Sequence, residues 1–230
     1  MAEIGLEFDP VWERLYAEGH HLNKYPFNNV PNFFFRYLPR ARPISEVRVM
    51  EVGFGAGNNL WMAAREGAQV CGVDAAPSGV RFARQRFQLD GLSGDLRVGD
   101  FTRLPFDDAS VDMAINRQAL TQVSHSRARV AVAEIHRCLV PGGVFWSNMF
   151  SDRSLRGGTS LGDGLWTDLD AGKLVGVGQT AFHSREDIEA MYGPGWQILE
   201  LVHQDNTEFD PKSGESYSYC EWYIVARKTA

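Results

Sequence analysis

Cysteine, excess basic charge and long apolar runs are all scarce in this sequence of 230 residues. Cys71, Cys138 and Cys220 are its 3 cysteines, an odd number and far apart, each in an apolar stretch. That excludes a disulfide framework and leads us to expect buried free thiols. Lys and Arg number 23 against 29 Asp and Glu, a net charge of -6, so nothing in the bulk charge favours a polyanion and a nucleic-acid groove is not expected. No apolar run approaches the roughly 20 residues of a membrane span. Met1 to Pro10 lacks the basic start and apolar stretch of an export signal, so the expected address is the cytoplasm, without membrane attachment. The Asp and His residues fall at no recognisable ligand spacing, and no metal is expected.

What is present is enough apolar material for one sizeable core, 44% hydrophobic and 12% aromatic, which we read as a single domain over 1–230. From Val47 the pattern alternates. VRVMEV reads as an apolar strand, NLWMAAREG as a helix, QVCGVD as a strand and SGVRFARQRFQLDG as a helix with Val80, Ala83 and Phe87 on one face. DLRVGD and VDMAIN read as two more strands. SRARVAVAEIHRCLV reads as a helix, and PGG turns into the strand VFWSNMF. Strands alternating with helices at this rhythm predict an α/β fold, a parallel sheet covered on both faces.

Four segments follow: a cap over 1–45 with a short helix from Asn28 or Asn29 to Tyr37, a core over 46–150, a glycine-rich loop over 151–185, and a closing part over 186–230. The loop keeps little periodicity, and loops of that length are usually functional or disordered. The closing part holds a helix from Arg185 to Tyr192 and two strands, WQILELVH and SYCEWYIVAR, expected to pair antiparallel.

The sharpest chemical signal is VMEVGFGAGNNL, in which a strand delivers Gly53, Gly55 and Gly57 into a tight turn that opens a helix. Glycine lets the backbone approach a ligand closely. Asp74 ends the next strand, where a carboxylate can accept hydrogen bonds from both hydroxyls of a ribose. A nicotinamide dinucleotide would want a third glycine, so that its pyrophosphate could rest on the helix N-terminus, and Asn58 stands there instead. Glu51, two residues before the turn, crowds phosphate but suits the cationic amino acid end of S-adenosylmethionine. Asp100 is placed to accept from an adenine amino group, with Phe101 flanking the ring.

Through EVGFGAGNN, the CGVD ending at Asp74, GDFTRLPFDDASVD and EIHRCLVPGGVF, the stretch from Val47 to Phe150 resembles the class I S-adenosylmethionine-dependent methyltransferases. The resemblance implies a Rossmann-like seven-stranded sheet in the order 3-2-1-4-5-7-6, strand seven antiparallel, with helices on both faces and an N-terminal helical cap. It also implies that the glycine turn, Glu51 and Asn58 hold the methionine part, Asp74 and Ala75 the ribose side, and Asp100 and Phe101 the adenine.

In such a fold the methyl group points to the segment after strand four, INRQALTQVSH. Asn116 is then expected on the cofactor side and Arg117 and Gln118, with Tyr25 of the cap, on the acceptor side. If the acceptor is a hydroxyl, His21 or His125 is the candidate general base; an amine needs none. The chain lacks the NPPY-type motif of amino-base enzymes and the Pro-Cys pair of cytosine carbon-5 enzymes, which favours O- or N-methylation of a small molecule. The likeness of WERLYAEG and HLNKYP to polysaccharide and natural-product enzymes suggests a sugar-derived or secondary metabolite, and a homodimer is possible. Rival readings are cyclisation or elimination on the sulfonium, a non-catalytic binding partner, and a nicotinamide-dependent oxidoreductase.

Overall fold

The computed structural model describes residues 8–155, 157–170, 174–209 and 214–229. The first seven residues of the expected cap and parts of the expected 151–185 loop lie outside them. Helices α1 (Val11–Ala17) and α2 (Asn29–Tyr37) precede the sheet. Strand β1 (Arg48–Val52), helix α3 (Asn58–Arg65), strand β2 (Gln69–Asp74), helix α4 (Pro77–Leu89) and strands β3 (Asp95–Val98) and β4 (Val111–Arg117) follow. Then come helix α5 (His125–Cys138) and strand β5 (Leu139–Phe150). Three short strands, β6 (Thr159–Gly162), β7 (Leu165–Thr167) and β8 (Thr180–Ala181), lead to helix α6 (Arg185–Met191) and the long pair β9 (Trp196–Phe209) and β10 (Ser216–Lys228).

The main sheet runs β3-β2-β1-β4-β5-β10-β9. β1 to β5 pair in parallel, and β10 is antiparallel to both β5 and β9. This is the expected order once the three short strands are set aside. The sheet is Rossmann-like. Its central strands read as continuous apolar runs because both faces are covered. On β1, Val49 packs among α2, α3 and α4, while Met50 and Val52 pack on the α5 and α6 side. Met113 and Ile115 of β4 join the first group and Ala114 the second, as a period of two requires. α2 presents Val30, Phe33, Phe34 and Tyr37 to this core, one stripe at helical spacing.

The glycine-rich loop expected over 151–185 contains a second sheet, β6-β7-β8. Its hairpin turns at Asp163 and Gly164, both at positive φ (48° and 75°), the pair of left-handed residues that a tight hairpin takes. The Asp-Gly pair was a readable hairpin signal within a run of scattered glycines. The tip caps α5: Asp163 accepts from His125 N at 2.9 Å through its carbonyl and from Ser126 N at 2.9 Å through its carboxylate.

Candidate functional site

The carboxyl ends of β1, β2 and β4 lie along one edge of the sheet, and there the chain turns at Gly53, Gly55 and Gly57, all at positive φ. At Gly53 the turn leaves no room for a side chain, since a Cβ would sit 2.1 Å from that of Ala119. Gly55 N donates to Asp74 Oδ2 at 2.7 Å and Ala76 N to Asp74 Oδ1 at 2.8 Å, so the acid at the end of β2 also braces the turn. Burial pushes the Asp74 carboxyl up to about 6, against the pull of those two amides.

Glu51 is fully enclosed beneath the turn. One carboxylate oxygen accepts from Asn59 Nδ2 at 2.7 Å, and Oε2 has no hydrogen-bond partner among the described residues. Burial, opposed by the Asn59 bond and reinforced by Asp74, pushes its carboxyl up to about 8. A buried acceptor left unpaired is costly, and it is the group that a cation at this spot would satisfy.

α1 closes the cradle. Glu13 accepts from Ser78 N at 2.9 Å and Ser78 Oγ at 2.6 Å, capping α4 from another element, and Trp12 Nε1 donates to Gln122 at 2.9 Å. Tyr16 is thereby laid across the turn, and a Cβ on Gly55 would meet its hydroxyl at 2.3 Å. Burial, then Asp74 and Glu51, hold that hydroxyl far above the ordinary phenol range. Between α1, the turn and the segment after β4 lies a cavity of about 320 Å³. Trp12, Phe27, Phe101, Val123, Phe150 and Val177 give it an apolar wall.

The expected residues divide around this cavity. Gly53, Asp74, Ala75, Phe101, Arg117, Gln118 and His21 line it. His21 stands edge-on to Trp12, and burial followed by the neighbouring His20 lowers its pKa. Asn58 opens α3 and donates to the carbonyl of Tyr25 at 2.9 Å, supporting the cap from below. Asp100 spends its carboxylate on Thr102 and on Arg127, the latter at 3.0 Å.

Three expectations are corrected. Asn116 is wholly internal, with Nδ2 on Ser147 Oγ and Oδ1 accepting from Leu120 N, because it points to the α5 face while Arg117 points to the other. Tyr25 is 68% exposed and packs edge-on against Trp61, outside the cavity. His125 is committed on both ring nitrogens, Nε2 to the Phe182 carbonyl at 2.8 Å and Nδ1 near Asp187 at 3.3 Å, and stacks on His183. It secures the hairpin tip, so a base at that position is not available to the cavity.

Sequence reasoning missed Trp12, Tyr16, Gln122 and Tyr219, all of which line the cavity. The spacing of four between Trp12 and Tyr16 was a signal for one helix face. Nothing local in the sequence marks Tyr219, which arrives from the far end of the chain on β10.

A parallel sheet with a cavity at its carboxyl edge, and a buried unpaired acid under a glycine turn, defines a Rossmann-like protein whose cradle suits a cationic nucleoside rather than a pyrophosphate. Residues 50–147 match the family model described as a methyltransferase domain. Over 228 residues the chain is 27% identical to a fatty-acid O-methyltransferase of Mycolicibacterium smegmatis, covering 89% of this chain and 79% of that protein. Over 118 residues it is 36% identical to a probable phthiotriol/phenolphthiotriol dimycocerosates methyltransferase of Mycobacterium ulcerans, covering 50% of this chain and 43% of the relative. A solved SAM-dependent methyltransferase of Methanosarcina mazei shares the fold with a TM-score of 0.66 at 18% identity, covering 89% of this chain and 99% of that one. The methyltransferase-domain match, the methyltransferase relatives and the shared fold together support a class I S-adenosylmethionine-dependent methyltransferase.

Proposed function

We propose that the chain methylates an oxygen of a small molecule whose body is largely apolar. The observation that carries this reading is the cavity itself: the glycine turn and Asp74 form one end, and the aromatic and aliphatic wall forms the other. The wall suits a hydrocarbon body, and the polar groups that share the lining, Asp9, Asn23, Gln118 and Gln122 among them, would orient its polar end. The M. smegmatis relative, by name a fatty-acid O-methyltransferase, agrees in acceptor atom and in apolar character.

In this reading Asp74 accepts from the ribose hydroxyls, Phe101 and Ala75 flank the nucleoside, and Glu51 faces the cationic amino acid end. Bound S-adenosylmethionine supplies an electrophilic methyl group on a sulfonium centre. The chain's own contribution is alignment and exclusion of water, the wall and α1 keeping the acceptor dry. His21 is the histidine of the lining among the described residues, its neutral form favoured by burial. No helix among the described residues is long and apolar enough to cross a membrane, and the three cysteines are buried free thiols, which fits a reducing, cytoplasmic address.

The test is incubation with S-adenosylmethionine and matched panels of apolar and sugar-derived acceptors, with S-adenosylhomocysteine read by mass spectrometry. Product that depends on apolar oxygen acceptors supports the reading; turnover confined to sugars or amines overturns it. Asp74→Ala should weaken S-adenosylmethionine by about 1–3 kcal/mol in calorimetry, the cost of losing hydrogen bonds to a charged group. It should also lower the melting temperature, because Gly55 N and Ala76 N lose their acceptor. Lower stability with unchanged affinity would leave Asp74 a brace for the turn and nothing more.

A further inference from the structure

Arg117 is the one arginine in the cavity lining among the described residues, and no lysine accompanies it. It ends β4 half-buried and makes no ion pair among the described residues, although its charge reaches the buried Glu51 carboxyl and opposes the effect of burial there. Its guanidinium donates to the neutral amide oxygen of Gln118 and lies 4.0 Å from the centre of the Phe27 ring. A guanidinium carries five N–H donors in a planar fork, so most of its capacity is unspent.

Its position is built rather than incidental. Gln118 holds φ at 62°, a left-handed conformation unusual for a residue with a side chain. Its Nε2 donates to Tyr219 Oη at 3.1 Å and to Glu221, which is itself buried and accepts from Tyr223 Oη at 2.7 Å. β10, which lies between β5 and β9, thus fixes the amide that accepts from the arginine.

We propose that Arg117 binds the ionised carboxylate of an apolar acid, and that the atom methylated is an oxygen of that carboxylate. The proposal rests on the preceding reading of the cavity as the site of methyl transfer. It accounts for a lone cation facing an aromatic wall, and it needs no general base, because a carboxylic acid is already ionised near neutral pH. A carboxylate oxygen forms the new bond to the methyl carbon as the carbon–sulfur bond breaks, the bonding pair staying on sulfur; no proton moves. The sulfonium and the carboxylate both become neutral. The methyl ester then has no charge for Arg117 to hold, so the reaction itself loosens the product.

The probe is dodecanoate, titrated by calorimetry into the full chain without cofactor, with S-adenosylmethionine titrated separately and methyl dodecanoate read by mass spectrometry when both are present. Arg117→Met should weaken dodecanoate about 10- to 150-fold, the worth of a charge-assisted contact, and change S-adenosylmethionine affinity far less. Arg117→Lys, which keeps the charge and loses the fork, should recover part of the dodecanoate affinity, a recovery that a merely structural arginine would not give. Loss of S-adenosylmethionine affinity with dodecanoate binding intact would overturn the proposal and place the guanidinium on the cofactor. Methylation of dodecanol or dodecylamine in preference to dodecanoate would also overturn it while leaving the methyltransferase reading in place. A wild-type chain that binds no S-adenosylmethionine would overturn that underlying reading instead.

Discussion

Glu51→Gln should make the cofactor-free protein more stable at pH 8 while weakening S-adenosylmethionine at least about tenfold. The two effects have one cause. The folded protein holds the Glu51 proton up to about pH 8, whereas the free side chain releases it near 4.5. Between those values the native state binds more protons than the unfolded chain, so the contribution of Glu51 to stability falls as pH rises through the window. An amide has no charge to bury, and its own oxygen can still accept from Asn59. The variant should gain on the order of 1–3 kcal/mol at pH 8, or several degrees in melting temperature for a chain of this size, with the gain vanishing toward pH 5. Melting curves at pH 5, 6.5 and 8 check it; a gain that does not change with pH would mean that Glu51 is ionised in the fold. The same linkage predicts that cofactor binding at pH 7 releases a proton, which calorimetry in buffers of different ionisation enthalpy measures directly.

The second large effect is expected at the turn. Gly53→Ala puts a carbon 2.1 Å from the Ala119 Cβ at a φ of 63°, and neither backbone can move without shifting β1 or the segment after β4. Overpacking of this kind costs roughly 1–3 kcal/mol, with backbone strain added. Cofactor binding should become undetectable by calorimetry, because the two displaced elements carry the cradle and Arg117. Gly91→Ala is the matched control: its φ of 65° imposes the same strain, yet nothing lies within 4 Å of the added carbon. It should lose stability by about 1 kcal/mol and keep its cofactor. Equal loss of binding in both variants would attribute the effect to unfolding rather than to the cradle.

The parallel core was legible because its signals are local. An apolar run, a glycine turn and a helix with one apolar face recur in order from Val47 to Phe150, and β1 to β5 fall where those runs do. Glu51, the glycines and Asp74 were legible for the same reason, being fixed to strand ends whose place in the sheet follows from the pattern. What stayed hidden depends on side-chain direction or on distant parts of the chain. Asn116 and Arg117 are adjacent, and a strand sends them to opposite faces; one became an internal hydrogen-bonding hub and the other the cation of the cavity. His125 looked available because the hairpin that consumes it sits 38 residues further on, at Asp163. Tyr219 and Glu221 bear on Gln118 across more than 100 residues, a proximity that only the completed sheet creates.

α1 has a kinetic consequence. A helix of seven residues has no persistence of its own in water. It stays wound because Glu13 grips Ser78, Trp12 grips Gln122, and Asp9 accepts from Gln179 N at 2.7 Å. Those few bonds separate a covered cradle from an open one, so the strap can peel away at a fraction of the free energy of global unfolding. Turnover would then be paced by how often this segment lets go, and amide hydrogen exchange over 11–17 would report the dwell time of whatever lies beneath it.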